Sequence, residues 1–384
     1  MQRSVDTVRE PARFHELDSM RGIAAPGVVF LHFVDMFFSP ELAASRSPLQ
    51  RDLLYLTMPF YLGRESVLVF FALSGFVLAL PYASGRAQPY RVFLLRRIVR
   101  IYCPYLAALG LAVAGAAYFH GDLGLGQWSS LTWSAPVSPQ LVFQHILFLG
   151  NYNWHQYNPA FWSLVVEMQV SLVFPLLAAL VVRVPLWNTM LLVIACPVAQ
   201  RIVSNLMPQA EDPTKAVFYV PLFLCGILLA KHMEAVAQWY RARSSAQRSC
   251  FAIATVLLYI LGHNFSHVTI GYPAMSLGAL GLIVLALHSE WTRRLLQLRV
   301  PIFLGRISYS LYLVHIPVLF ALTFMLHHRV GRVGMFFIYL AAAILAGTVF
   351  NRVVEAPLVR LNRRIGRRSP APLLTGSAPS PSTV

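Results

Sequence analysis

The chain has 384 residues, 57% of them apolar and only 12% charged, and it carries a formal charge of +16. That charged fraction is roughly half that of a soluble domain, which excludes an ordinary soluble protein and makes lipid the preferred solvent. Nucleic acid is excluded as partner of the positive charge, because the basic residues sit in short runs between apolar stretches with no aromatic interleaving to stack bases.

The first residues, 1–16, are polar, and the first apolar run leads into further apolar runs, so no cleavable signal peptide is expected. Hydropathy places membrane spans near 22–38, 66–82, 101–119, 161–182, 187–204, 216–231, 250–262, 273–288, 301–326 and 335–354. The expected fold class is therefore all-α, a polytopic membrane protein with about ten transmembrane helices. A further apolar run at 141–150 is too short to span and reads as re-entrant or interfacial. Expected domains are a cytoplasmic N-terminal segment (1–15), a membrane domain (16–360) and a disordered Pro/Ser-rich tail (361–384). The four cysteines lie far apart without metal-ligand spacing and read as small core residues, and no metal site is expected.

Most of the 31 Lys and Arg residues fall on one side of this plan, while the loop 120–160 contains none. By the positive-inside rule both termini are cytoplasmic.

Ionisable groups inside a membrane are costly and mark function by default. His32 lies eleven residues beyond Arg21 in the first span, about 16 Å along a helix, and Asp35 follows on the same face, placed to orient the imidazole. Glu167 enters from the opposite side to a similar depth. His315 rises toward it from Arg306, either as part of the site or as a plain helix–helix hydrogen-bonding residue. Asp18 with Arg21, and Arg352 with Glu355, are spaced for simple ion pairs. The cluster Arg96-Arg97-Ile98-Val99-Arg100-Ile101-Tyr102 either obeys the positive-inside rule or forms a phosphate clamp, for which guanidinium forks are suited.

These segments resemble the acyltransferase 3 family of membrane O-acyltransferases. The resemblance is carried by Leu17-Asp18-Ser19-Met20-Arg21-Gly22 with His32, by Phe70-Phe71-Ala72-Leu73-Ser74-Gly75-Phe76, by Arg96 to Tyr105, by Trp162-Ser163-Leu164 with Glu167, by Gly305 to His315, and by Glu355-Ala356-Pro357. Departures are Met168-Gln169 where many members hold a second Glu, and Cys103 where Pro is common. The resemblance implies a multi-pass enzyme of the bacterial cytoplasmic (inner) membrane that moves an acyl group, expected to be acetyl, from acyl-CoA (acetyl-CoA) to a hydroxyl of a carbohydrate or glycoside. Catalytic work is expected of His32, Glu167, Asp35 and Arg21. Donor binding falls to Arg96, Arg97, Arg100, Tyr102 and Ser74, and a substrate-binding or structural role to His315, Trp162, Ser163 and Tyr309.

In that scheme His32 is a general base toward the acceptor hydroxyl, with a covalent acyl-His32 route left open. A rival class is a proton-coupled transporter or flippase using His32 and Glu167 as a relay. The loop 120–160, with Trp128, Trp133, Tyr152, Trp154 and Tyr157, is either an aromatic platform for sugar or an interfacial belt. Oligomeric state does not follow from the sequence.

Overall fold

The computed structural model describes residues 14–38, 62–148, 152–207, 211–262 and 268–366. Arg46 and Arg51, the first residues of the N-terminal segment and most of the expected tail lie outside the described residues. The chain opens with α1 (His15–Phe37), α2 (Gly63–Ala83) and α3 (Tyr90–Arg97), which passes through a π-helical turn (Ile98–Tyr102) into α4 (Cys103–Tyr118). Short helices α5 (Gln127–Ser130) and α6 (Pro139–Leu147) precede α7 (Phe161–Arg183), α8 (Leu186–Leu206), α9 (Glu211–Lys231), α10 (Met233–Arg241) and α11 (Ser245–Leu261). Then come α12 (Val268–His288), α13 (Glu290–Leu296), α14 (Arg299–Leu326) and α15 (Arg332–Phe350), the last running through a second π-helical turn (Asn351–Glu355) into α16 (Ala356–Arg364).

Among the described residues nine helices are long and apolar enough to cross a membrane, with Tyr90–Tyr118 and Arg332–Arg364 each counting as one rod. The expected span at 250–262 is α11, apolar but only 17 residues long. The rods outrun the hydropathy limits because arginines at their ends are tolerated, their aliphatic stems lying along the helix while the head reaches water.

Lipid tails give helices no hydrophobic reason to associate, so close approach at small residues does that work. Along α1 the buried positions Leu17, Met20, Ala24, Val28 and Val29 recur every three to four residues and face the bundle. Where α1 crosses α14, Gly22 and Gly305 meet backbone to backbone; a Cβ on Gly305 would stand 2.5 Å from the Asp18 carbonyl oxygen. The α2–α9 crossing repeats the device, a Cβ on Gly226 falling 2.5 Å from the Ala72 carbonyl oxygen. Lys231, at the end of α9, closes the far end of α7 by donating to the Val181 and Val184 carbonyls at 2.9 and 2.8 Å.

Two cores result. One joins α2, α7, α9 and α12 around Phe71, Phe76, Phe174 and Phe223. The other joins α1, α4, α14 and α15 with the 120–160 loop, around Phe33, Tyr105, Trp133, Phe320 and Tyr339. That loop is neither an open sugar platform nor an interfacial belt over most of its length. Trp133 and Tyr157 are buried, the Trp133 Nε1–H donates to the Tyr157 carbonyl at 3.1 Å, and Asn158 Nδ2 donates to the Leu313 carbonyl at 3.1 Å. Leu313 needs an outside donor because Pro317, four residues on, has no N–H to give.

Candidate active site

A cavity of about 210 Å³ lies in the seam between the two cores, walled by α1, α2, the first π-helical turn, α7 and α14. Its charged lining is Arg21, Arg97, Arg100 and Glu167, and each of the three arginines has a carboxylate partner, Asp18, Glu167 and Glu355. Arg97, which is buried, donates from Nη2 to Glu167 Oε1 at 2.7 Å and from Nε to Ser171 Oγ at 3.1 Å. Ser74 donates to the same Glu167 oxygen at 2.8 Å. Arg21 reaches Asp18 at 3.7 Å.

Arg100 sits on the first π-helical turn and Glu355 on the second, and Arg100 Nη1 donates to Glu355 Oε1 at 2.7 Å. A π turn widens the helix and re-aims one side chain, which is why such turns recur at functional sites. Glu355 Oε2 accepts from Ser310 and, at 2.9 Å, from Asn351. The ion pair drawn from spacing, Arg352 with Glu355, is therefore replaced by Arg100 with Glu355. Tyr309 donates to the Ile101 carbonyl at 2.9 Å and lays its ring 5.6 Å from the Arg100 guanidinium carbon.

The residues expected to bind donor thus divide. Arg97, Arg100 and Ser74 line the cavity. Arg96 faces elsewhere, holding Gln88 at 2.8 Å and the Ile365 carbonyl at 2.7 Å, and so straps the start of α3 to the end of α16. Tyr102 donates to the Ile146 carbonyl and stacks on Tyr105.

At the other end of the cavity Ser163 and Tyr312 share a hydrogen bond of 2.6 Å, and the Tyr312 hydroxyl lies 3.0 Å from the Ala160 carbonyl. One helical turn further along α14, the His315 ring centre lies 5.7 Å from that of Tyr312. His315 stacks on His32 at 5.4 Å, and His32 Nδ1 stands 3.5 Å from Asp35 Oδ2. His315 Nδ1 faces the Tyr312 carbonyl at 2.7 Å; a carbonyl only accepts, so Nδ1 carries a proton. His32, Asp35 and His315 lie together. Glu167 belongs to the cavity instead, and among the described residues it bonds Arg97 and Ser74, not His32. Trp162 packs against Tyr219 and Phe71, with the Lys215 ammonium 5.1 Å over its ring.

Sequence reasoning gave no role to Tyr312, Ser171, Ser310 and Asn351, and took Trp128 only as a sugar-platform or belt residue. Polar residues on apolar helices were the available signal for the first four; the contact of Trp128 with His32 had none, since it depends on where a loop lands. Among the described residues no group of three or more His, Cys, Asp and Glu side chains is placed to hold a metal ion.

Fold and site together define a multi-pass membrane protein with a cation-lined internal cavity beside a stacked histidine pair. A family model described as an acyltransferase domain matches residues 14–352. The chain belongs to this acyltransferase 3 family of bacterial membrane acyltransferases, and is an enzyme of the acyltransferase class. It is similar to acyltransferase MdmB of Streptomyces mycarofaciens, 26% identical over 402 residues that cover 97% of this chain and 96% of that protein. It is also similar to protein 2 in the picA locus of Rhizobium radiobacter, 39% identical over 113 residues, which are 28% of this chain and 47% of the relative. No solved structure matches the chain. An acyl-CoA type of donor is consistent with the family.

Proposed function

We propose that the protein is a membrane O-acyltransferase of the bacterial inner membrane that moves an acyl group, acetyl in the first instance, from cytosolic acyl-CoA to a hydroxyl of a saccharide or glycoconjugate. Both termini face the cytosol in this reading. The observation that carries it is the cavity: three guanidiniums, Arg21, Arg97 and Arg100, surround one carboxylate at one end, and Tyr312 leads at the other to His315 and His32. The cationic end suits the phosphates of coenzyme A. Arg97 and Arg100 are fixed by Glu167 and Glu355, so their forks are oriented before any ligand arrives.

In the transfer itself, neutral His32 takes the proton of the acceptor hydroxyl as that oxygen attacks the thioester carbonyl. A C–O bond forms, the C–S bond breaks, and the proton passes from the imidazolium to the departing thiolate of coenzyme A. Asp35, beside Nδ1, orients the ring and offsets its positive charge, as a carboxylate behind a histidine base does elsewhere.

Native membranes from a strain deleted for the gene and carrying the wild-type or His32→Ala protein test this reading. With radiolabelled acetyl-CoA, wild type should put label into carbohydrate and release one thiol per acetyl group, and His32→Ala should do neither while staying folded. Normal turnover by His32→Ala would refute the base assignment. Absence of thiol release from wild type would favour the proton-relay transporter over the donor and acceptor named here.

A further inference from the structure

His32 has two stacked ring neighbours. The Trp128 indole, from α5, stacks at 5.3 Å and 23°; the His315 imidazole, from α14, stacks at 5.4 Å and 29°. Each plate is itself held. Trp128 also has Phe320 at 5.5 Å, and His315 is fully buried with Nδ1 fixed by backbone carbonyls. His32's Nδ1 edge faces Asp35. With the Nδ1 edge taken, Nε2 is the atom left for a reacting proton.

Ordinary core packing does not need a tryptophan here, and an aliphatic side chain would fill the space. The indole differs in its π face, which is the best of the side chains at holding a cation over it, worth most when water is excluded. Among the described residues the charged or titratable groups shown against His32 are Asp35 on its own helix and His315 from α14. The indole is therefore the uncharged group able to support a positive imidazole on a face that Asp35 does not touch.

We propose that Trp128 is a positioning residue of the transfer reaction: together with His315, it clamps the His32 ring in one plane and supports the imidazolium formed when His32 holds the acceptor's proton. The proton comes from the acceptor hydroxyl and leaves to the coenzyme A thiolate, so Trp128 exchanges nothing. This rests on the reading of His32 as the base. It also gives the 120–160 loop a part in catalysis, since that loop carries the indole across the bundle to α1.

The test uses the full chain in the same native membranes, with radiolabelled acetyl-CoA and Trp128→Leu, Trp128→Phe and His32→Ala. Trp128→Leu should lower kcat roughly tenfold, the scale of a desolvated cation–π contact, with the KM for acetyl-CoA and the amount of folded protein unchanged. Trp128→Phe, which keeps a π face, should recover most of the rate. Wild-type kcat in Trp128→Leu, a change confined to KM, or a folded Trp128→Phe no better than Trp128→Leu would each overturn the clamp. Turnover by His32→Ala would instead sink the parent reading, so the two failures are told apart.

Discussion

One oxygen of Glu167 serves two donors, Arg97 at 2.7 Å and Ser74 at 2.8 Å, and both side chains of the ion pair are largely withdrawn from water, at 11% and 18% exposure. A buried pair adds little against an apolar replacement, yet removing one partner strands the other's charge. Glu167→Gln should therefore cost about 3 kcal/mol, read as a lower thermal midpoint in detergent, and should lower acetyl transfer as Arg97 loses its fixed direction. Arg97→Gln combined with Glu167→Gln should recover part of the stability but none of the activity; recovery of neither would mean that the pair does not share one energetic role. Glu167 is legible in the sequence as a carboxylate in an apolar helix and Arg97 as one of a basic cluster. Their bond is not, because 70 residues separate them and depth alone leaves each helix free to rotate. The same freedom let His32 and Glu167 look like neighbours when Glu167 in fact faces the arginines.

At the scale of elements, the apolar run near 141–150 shows how a short segment escapes hydropathy. Its described part is α6, started by Ser138, whose hydroxyl accepts from the Leu141 N–H, and stopped at Phe148 in the left-handed region at φ 61°. His145 on α6 is fully buried, its Nδ1 on the Leu141 carbonyl at 2.9 Å and its ring against Tyr152 and Tyr157. Burial depresses its pKa below the ordinary 6.5, the nearby carbonyls only partly opposing the shift. Below 6.5 the unfolded chain binds a proton that the folded loop refuses, so stability is lost as pH falls through that value toward the depressed one. The thermal midpoint of wild type should fall between about pH 7.5 and pH 5, and His145→Gln, which cannot be protonated, should show a shallower fall. Equal slopes in the two proteins would remove His145 as the cause. Spans were readable because twenty or so apolar residues have few other uses. The π-helical turns at 98–102 and 351–355 were not, since they depend on Arg100 and Glu355 meeting across the bundle.

For the whole molecule, the two cores explain why the site lies where it does. A cavity survives in the seam because charged and hydrogen-bonded side chains meeting there cannot interlock as the phenylalanines on either side do. Charge then sets how that seam faces the cell. The 120–160 loop, without Lys or Arg, lies at the end of α4 opposite the Arg97 and Arg100 turn, and α10, just beyond α9, ends at Arg241 and is followed closely by Arg243 and Arg248. If the arginine end of the cavity meets cytosolic donor, α6 must face outward and α10 inward. The four native cysteines, Cys103, Cys196, Cys225 and Cys250, form no disulfide, so they can be replaced without breaking a cross-link. In that background Gln140→Cys on α6 and Ala235→Cys on α10 put single thiols at exposed positions. A membrane-impermeant maleimide added to intact spheroplasts should label Gln140→Cys at once and Ala235→Cys only after lysis. The reverse pattern would place the guanidiniums on the side away from coenzyme A, and the route from donor to His32 would have to be abandoned even with the fold and the family intact.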